Sequence, residues 1–391
     1  MSRIVFFSIP GHGHTNPTLG VVRELTALGH EVLYYSYEPF RAVIEAAGAR
    51  FIPCDVYDSQ QKLTPEDQGR LGKDLAFSTE ILVDTTLALD APVCRDLEQL
   101  RPDCIVADSM AIWGKMVALK LGIPFVSSTT TFAFNRHSAA ILKQDSPGFL
   151  SMLRSMPRIN RQIRRMQQHG YPVKSVLDLI ANDNETHTIV YTSPEFQPCS
   201  ETFSHRYAFV GPSIRPVTES FRKTRDKLIY ISMGTVNNNL PDLYRSCIDA
   251  WRNSPHQILL SVGDLVDPIL PTDLPEHIEV HRHVDQIAVL EQADVFVTHC
   301  GMNSVSESLW FGVPMVLLPQ TTEQGGVAAR VEQLGAGIRP KSVTAPALHA
   351  AVEQVLSTPD YREHAEVLAA GFRKCSGPRG AAEKILSVCK G

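Results

Sequence analysis

Residues 3–25 read RIVFFSIPGHGHTNPTLGVVREL. An apolar run from Ile4 to Ile9 ends at Pro10, and a turn of glycine and histidine follows. Leu19, Val22, Leu25 and Leu28 then recur at a 3–4 spacing up to Gly29. This pattern is strand, glycine turn, helix, with Gly29 as the helix stop. A glycine turn between a strand and a helix is a common seat for phosphate. This turn also carries His12 and His14, so a second reading is a loop that presents a base.

The stretch has an echo. RIVFFSIPG (3–11) is matched by KLIYISMGT (227–235), and PDCIVADS (102–109) by ADVFVTHC (293–300). Each is followed by a helical pattern and a similar close, LGIPFVS (121–127) and FGVPMVL (311–317). The order is the same in both halves. Strands alternating with helices indicate βαβ units, so the expected fold is α/β, two Rossmann-like domains with parallel sheets. Ligands bind such open sheets beyond the C-terminal strand ends. Two domains facing each other across a cleft would offer one side to a nucleotide and the other to a second substrate. FVGPSIRPVTESFRKTRDK (209–227) is rich in proline and charge, as linkers are. The expected division is 1–211, a linker over 212–226, and 227–391. The stretches near 60–100 and 136–182 are helical and irregular insertions in the first half. A terminal helix in GPRGAAEKILSVCK (377–390) can pack back on the first domain.

The bulk numbers suit this division. The chain has 391 residues, 43% hydrophobic and 20% charged, with a net charge of −5. That fills two cores and gives no general attraction to nucleic acid. Residues 154–170, RSMPRINRQIRRMQQHG, are locally basic; they read as a solvated helix face or as an anionic-ligand or membrane patch. Eight cysteines are scattered without C-x-x-C, several inside apolar runs, which suits a reducing cytoplasm. The N-terminal apolar run is too short for a signal peptide. No apolar run approaches the roughly 20 residues of a membrane span.

The second half carries the clearest binding loops. In VTHCGMNSVSESLWFGVP (297–314), Gly301 allows a tight turn and Asn303 or Ser304 can cap the following helix. Such a helix start attracts phosphate, and His299 can add a donor. Glu307, one turn in, can accept from ribose hydroxyls. A capped helix without a ligand reads equally well. Glu323 and Gln324, after LLPQTT, place a carboxylate beside an amide, a pairing that suits sugar hydroxyls or serves its own helix dipole. His283 and Gln286 precede the same sheet, and Ser232, Gly234 and Thr235 follow another strand.

Together, HVDQ…ADVFVTHCGMNSVSES…GVPMVLLPQTTEQ resembles the donor motif of the UDP-glycosyltransferases, family 1, with the GT-B fold. With GHGHTNPTLG and YISMGT, the whole chain looks most like the bacterial macrolide-type branch, whose members glycosylate small hydrophobic aglycones. The resemblance implies that His299 and the backbone of Asn303 and Ser304 hold the diphosphate, with Ser232, Gly234, Thr235 and Gly301 around it. It implies that Glu307 binds ribose, Val284 and Gln286 meet the uracil edge, and Glu323 and Gln324 contact the sugar. Two departures stand out: His283 replaces the tryptophan of the plant branch, and Glu323 replaces the common aspartate. A UDP-hexose, read as glucose, is then a co-substrate and no cofactor is expected.

Transfer to an alcohol requires removal of the hydroxyl proton, which a neutral histidine can accept at pH 7. His14 precedes Asn16, an expected N-cap, and Pro17, the expected first helical residue. Asp108 ends the strand CIVAD, at the position equivalent to His299. A carboxylate there would orient the ring and stabilise imidazolium. By resemblance His14 is the base and Asp108 its partner, in a single inverting displacement; His12 is left as a loop or pocket-wall residue. Without the resemblance, two unlinked turn-capping residues read better. The chain has no D-x-D triplet, and neither the His12/His14 nor the His281/His283 pair has a third ligand near it in sequence, so no metal is expected. Met110, Trp113, Phe132 and Phe134 follow strands of the first half and can wall an apolar acceptor site, or be core.

Three alternatives remain: a nucleotide-sugar hydrolase or epimerase, a peripheral-membrane transferase with a lipid acceptor, and a non-catalytic nucleotide-sugar binder. A Rossmann oxidoreductase fits poorly, because the opening glycines read G-x-G-x-x-N.

Overall fold

The computed structural model describes residues 1–55, 64, 67, 70, 74–135, 137–138, 149–175, 178–179, 182, 184–235, 238–266 and 273–389. The chain forms two compact units, Met1–Ser213 with Cys375–Gly391, and Ile214–Lys374.

The first unit is built in order from β1 (Arg3–Phe7), α1 (His12–Ala27), β2 (Glu31–Ser36), α2 (Arg41–Ala46), β3 (Arg50–Pro53), α3 (Leu75–Leu100), β4 (Cys104–Asp108), α4 (Ile112–Leu121), β5 (Phe125–Thr129), α5 (Phe149–Gln168), β6 (His187–Val190) and β7 (Tyr207–Phe209). Its strands run in the order β3-β2-β1-β4-β5-β6-β7, and every pairing is parallel. Continuous apolar runs such as IVFF are what a parallel sheet covered on both faces requires, and Ile4 to Phe7 are buried throughout.

The second unit holds β8 (Leu228–Ser232), α6 (Pro241–Trp251), β9 (Gln257–Ser261), β10 (Ile278–His281), α7 (Gln286–Leu290), β11 (Val295–Thr298), α8 (Met302–Trp310), β12 (Met315–Leu317), α9 (Thr322–Gln333), β13 (Gly337–Ile338), α10 (Ala345–Ser357) and α11 (Pro359–Lys374). Its parallel sheet runs β10-β9-β8-β11-β12-β13. The echo in sequence is therefore an echo in topology. In each sheet the order reverses between two equivalent strands, β1 and β4 in one, β8 and β11 in the other. Both halves are Rossmann-like.

The chain passes between the units at 213/214 and again at 374/375. Most of the proline- and charge-rich stretch over 212–226 belongs to the second unit. Thr218 donates from its N–H and its hydroxyl to Asp285 Oδ2, at 2.6 and 2.7 Å. Lys223 and Lys227 pair with Asp294 at 2.5 and 3.4 Å. The composition looked solvated, but its polar groups have fixed carboxylate partners. At the other end, α12 (Gly377–Cys389) belongs to the first unit. Ala381, Ala382 and Ile385 lie in the same core as Val21, Val22 and Leu25 of α1, and Gly377 N–H donates to Val210 O at 2.8 Å.

The basic segment in α5 is a salt-bridged helix face. Arg158 and Arg161 reach Glu80, at 2.8 and 3.3 Å, and Arg165 reaches Asp84 at 2.6 Å, both carboxylates on α3. These ion pairs tie α5 to α3. Among the described residues no helix is long and apolar enough to cross a membrane.

Candidate functional site

In the first unit the polar groups converge at the topological switch point. Helix α1 begins earlier than the Asn-Pro pair suggested: Gly11 is the N-cap, Thr15 N–H closes the first ladder bond to Gly11 O at 2.9 Å, and Pro17 lies inside the helix. His14 is thereby in the first turn. Asp108 ends β4, and Phe7 of β1 lies opposite Ala107. His14 Nδ1 is 2.9 Å from Asp108 Oδ2. A carboxylate only accepts, so Nδ1 carries a proton, and in the neutral ring Nε2 then keeps its lone pair. The other carboxylate oxygen accepts from Met110 N–H at 2.8 Å. Thr130 Oγ1 lies 3.1 Å from His14 Nδ1 and 3.5 Å from Asp108 Oδ2. The Asp108 side chain is 0% exposed and that of His14 27% exposed. The carboxylate is thus sealed behind a ring that solvent still reaches. His12 packs edge-on against Phe40, with ring centroids 5.0 Å apart.

Of the apolar candidates, Met110, Phe132 and Phe134 line one cavity of about 80 Å³. That is small beside the roughly 300–1,000 Å³ of a typical ligand site. Trp113 does not belong with them. It is fully buried in the core of the first sheet, because the α4 face that carries it turns toward the strands.

The second unit repeats the arrangement. His299 follows β11, and Thr298 lies opposite Ser232, the end of β8. The ring sits between two backbones that only glycine permits. A Cβ on Gly234 would come within 2.6 Å of the ring, as would one on Gly301, and Gly234 also has φ +77°. Burial pushes the His299 pKa down to about 4, with the Ser232 main chain acting the other way. The ring is neutral at pH 7. Gly301 is the N-cap of α8, in place of the expected Asn303 or Ser304, which occupy its first turn. Val305 N–H closes the first ladder bond to Gly301 O at 3.0 Å. The first-turn N–H groups of such a helix lie outside its own ladder.

Gln286 joins several groups. Tyr230 donates to its Oε1 at 3.1 Å, and its amide donates to Glu307 at 2.5 Å and to Ser304 Oγ at 3.4 Å. Burial raises the Glu307 pKa, while the Gln286 hydrogen bond and the nearby Arg215 charge oppose the rise. Asp285 caps α7 through Ile287 and Ala288 N–H and also holds Arg215 at 2.7 Å. Burial works to raise its pKa, but the bonds from Arg215 and Thr218 win and hold it well below the usual carboxylate range.

The remaining candidates divide. Glu323 is exposed in the first turn of α9. Gln324 is committed to a capping box, accepting from Gln320 and Thr321 N–H at 2.8 and 3.2 Å, which leaves its amide NH₂ for other contacts. His283 and Thr235 are exposed, and Val284 is half-buried. Among the described residues no three metal-ligating side chains gather in one group.

Sequence reading missed Thr130, Tyr230 and Asp285. Asp285 had a signal, an N-cap residue before the apolar run QIAVL. Thr130 and Tyr230 had none, because each acts on a residue far away in sequence.

Residues 216–372, which contain the second of these loop sets, match the family described as UDP-glucoronosyl and UDP-glucosyl transferase. The NDP-glycosyltransferase YjiC of Bacillus subtilis (strain 168) is 32% identical over 398 residues, covering 99% of this chain and 97% of its own. The demethyllactenocin mycarosyltransferase of Streptomyces fradiae is 30% identical over 403 residues, covering 98% and 86%. The crystal structure of the glycotransferase of kitacinnamycin superposes with a TM-score of 0.82 at 29% identity, covering 99% of this chain and 98% of its own. Identity of this level along nearly the whole length shows the family as well as the fold. The chain belongs to the UDP-glucoronosyl and UDP-glucosyl transferase family, and it is a glycosyltransferase of the GT-B fold.

Proposed function

We propose that this enzyme transfers a hexose, glucose first among the candidates, from a UDP-sugar to a hydroxyl of a small hydrophobic natural product such as a macrolide, flavonoid or other phenol, with inversion. The observation that carries the proposal is the 2.9 Å contact between His14 Nδ1 and Asp108 Oδ2. Its ring is oriented and its proton placed, so Nε2 is the atom that accepts.

In the proposed step, His14 Nε2 takes the acceptor proton. The acceptor oxygen forms its bond to the anomeric carbon as the bond to the diphosphate oxygen breaks. The electron pair leaves with the nucleoside diphosphate, whose charge His299 and the α8 first turn would stabilise. Asp108 stabilises the imidazolium as it forms, from a buried site where an opposite charge acts strongly. Gln286 and Glu307 are assigned to base and ribose, and Glu323 and the Gln324 amide to the sugar. Met110, Phe132 and Phe134 are assigned to the acceptor. No metal enters the step. A natural-product acceptor is supported by relatives whose names couple sugar transfer to demethyllactenocin and to kitacinnamycin.

The test is a UDP-glucose assay with and without a phenolic acceptor, read by mass spectrometry. Glucosylated acceptor is expected, with little free glucose when the acceptor is omitted. Equal sugar release without acceptor would overturn transfer in favour of hydrolysis.

A further inference from the structure

A cavity of about 600 Å³ in the second unit is lined by none of the residues assigned above. Leu240, Leu243, Leu317, Leu318 and Val343 give it apolar walls, and Arg339 and Lys341 bring two cationic side chains. The volume falls within the range of small-molecule sites. Its one carboxylate, Asp242, is paired with Arg245 at 3.0 Å. Arg339 is paired with Glu332 at 3.0 Å. Lys341 is exposed and makes no ion pair among the described residues. An apolar cavity with an uncommitted cation at its rim suits an apolar molecule that carries one negative charge.

The wall is also part of the support for α9. Gln320 N–H donates to Gln324 Oε1 at 2.8 Å, and Arg339 Nη2 donates to Gly325 O at 2.9 Å. Both bonds fix the first turn of α9, which presents Glu323. The Gln320 amide nitrogen is buried without a hydrogen-bond partner, so this wall has an unmet donor and a reason to rearrange around a ligand.

We infer that this cavity is a second binding site, for a small amphiphilic anion, and that its occupant acts on donor-sugar binding through Gln320 and Arg339. The binding part stands on the cavity alone. The coupling part rests on reading Glu323 and Gln324 as sugar contacts.

The probe is 8-anilinonaphthalene-1-sulfonate, an apolar body with one sulfonate, titrated into the full chain and followed by fluorescence. Single-site binding that persists at saturating UDP is expected. Lys341→Glu should weaken it about fivefold or more, as loss and reversal of one partly exposed charge would. Val343→Trp should fill the cavity and abolish binding. Both side chains are exposed, so unfolding curves matching the parent are expected and verify the fold. Displacement by UDP, or unchanged binding in both variants, overturns the site. With probe bound, the donor KM should shift by about threefold or more while the acceptor KM stays fixed. Probe binding that leaves donor KM unmoved overturns the coupling. Failure of the transferase reading shows separately, as sugar release that is equally fast without acceptor.

Discussion

Asp108 Oδ2 and His14 Nδ1 lie 2.9 Å apart although 94 residues separate them. They meet because β1 and β4 are neighbours at the point where the strand order reverses. Ser232 ends β8, and His299 directly follows β11, whose last residue Thr298 lies opposite Ser232. One topological position thus serves a proposed base in one half and a proposed phosphate contact in the other.

His14→Ala should lower kcat by about 10²–10⁴, the usual contribution of a positioned base. UDP affinity, measured by calorimetry, should stay within a few fold. Turnover within about fivefold of the parent would remove His14 as the base.

Asp108→Asn should cost about 10–10³ in kcat, because an amide can neither fix the Nδ1–H tautomer nor stabilise the imidazolium. Asp108→Glu should recover part of that loss. The pH profile distinguishes this role from a packing role. Loss of the carboxylate should move the acidic limb of kcat/KM to lower pH. An unmoved limb would show that Asp108 does not act through the ring.

The burial of His299 predicts an acid dependence of stability in the ligand-free chain. The unfolded residue takes up a proton near 6.5 and the folded one near 4. Between these values the unfolded state binds more protons, so the contribution is complete above pH 6.5 and lost as pH falls toward 4. The full difference is about 3 kcal/mol at most by that linkage. Urea midpoints at pH 7 and 4.5 should fall less for His299→Gln than for the parent. Parallel losses would refute the assignment.

Asp285→Ala removes the cap of α7 and leaves Arg215 and Thr218 without their carboxylate. A loss of about 2–4 kcal/mol is expected, together with weaker UDP binding because Gln286 opens that helix. Asp285→Asn should restore part of the cap but not the Arg215 pair. Denaturation and calorimetry on both variants test this ordering.

Activity measured after EDTA treatment should match the untreated enzyme. A loss restored by magnesium would contradict the metal-free step.

The sequence by itself determined the two-domain α/β plan, because parallel strands must be apolar along their whole length and strand ends must turn on small residues. The repeat of RIVFFSIPG as KLIYISMGT, and of CIVAD as VFVTH, carried that plan and placed Asp108 and His299 at strand ends and His14 in the turn after a strand. Tertiary structure alone decided which of these residues meet. The Thr130 hydroxyl beside His14, the Tyr230–Gln286–Glu307 chain and the burial of Trp113 all depend on neighbours distant in sequence. The same is true of helix ends and boundaries. Gly11 and Gly301 cap the helices for which the sequence offered Asn16 and Asn303, and Asp285 and Asp294 hold the 214–227 stretch in the second unit. Local patterns set which groups are available. Strand order and packing then fix which hydrogen bonds they make.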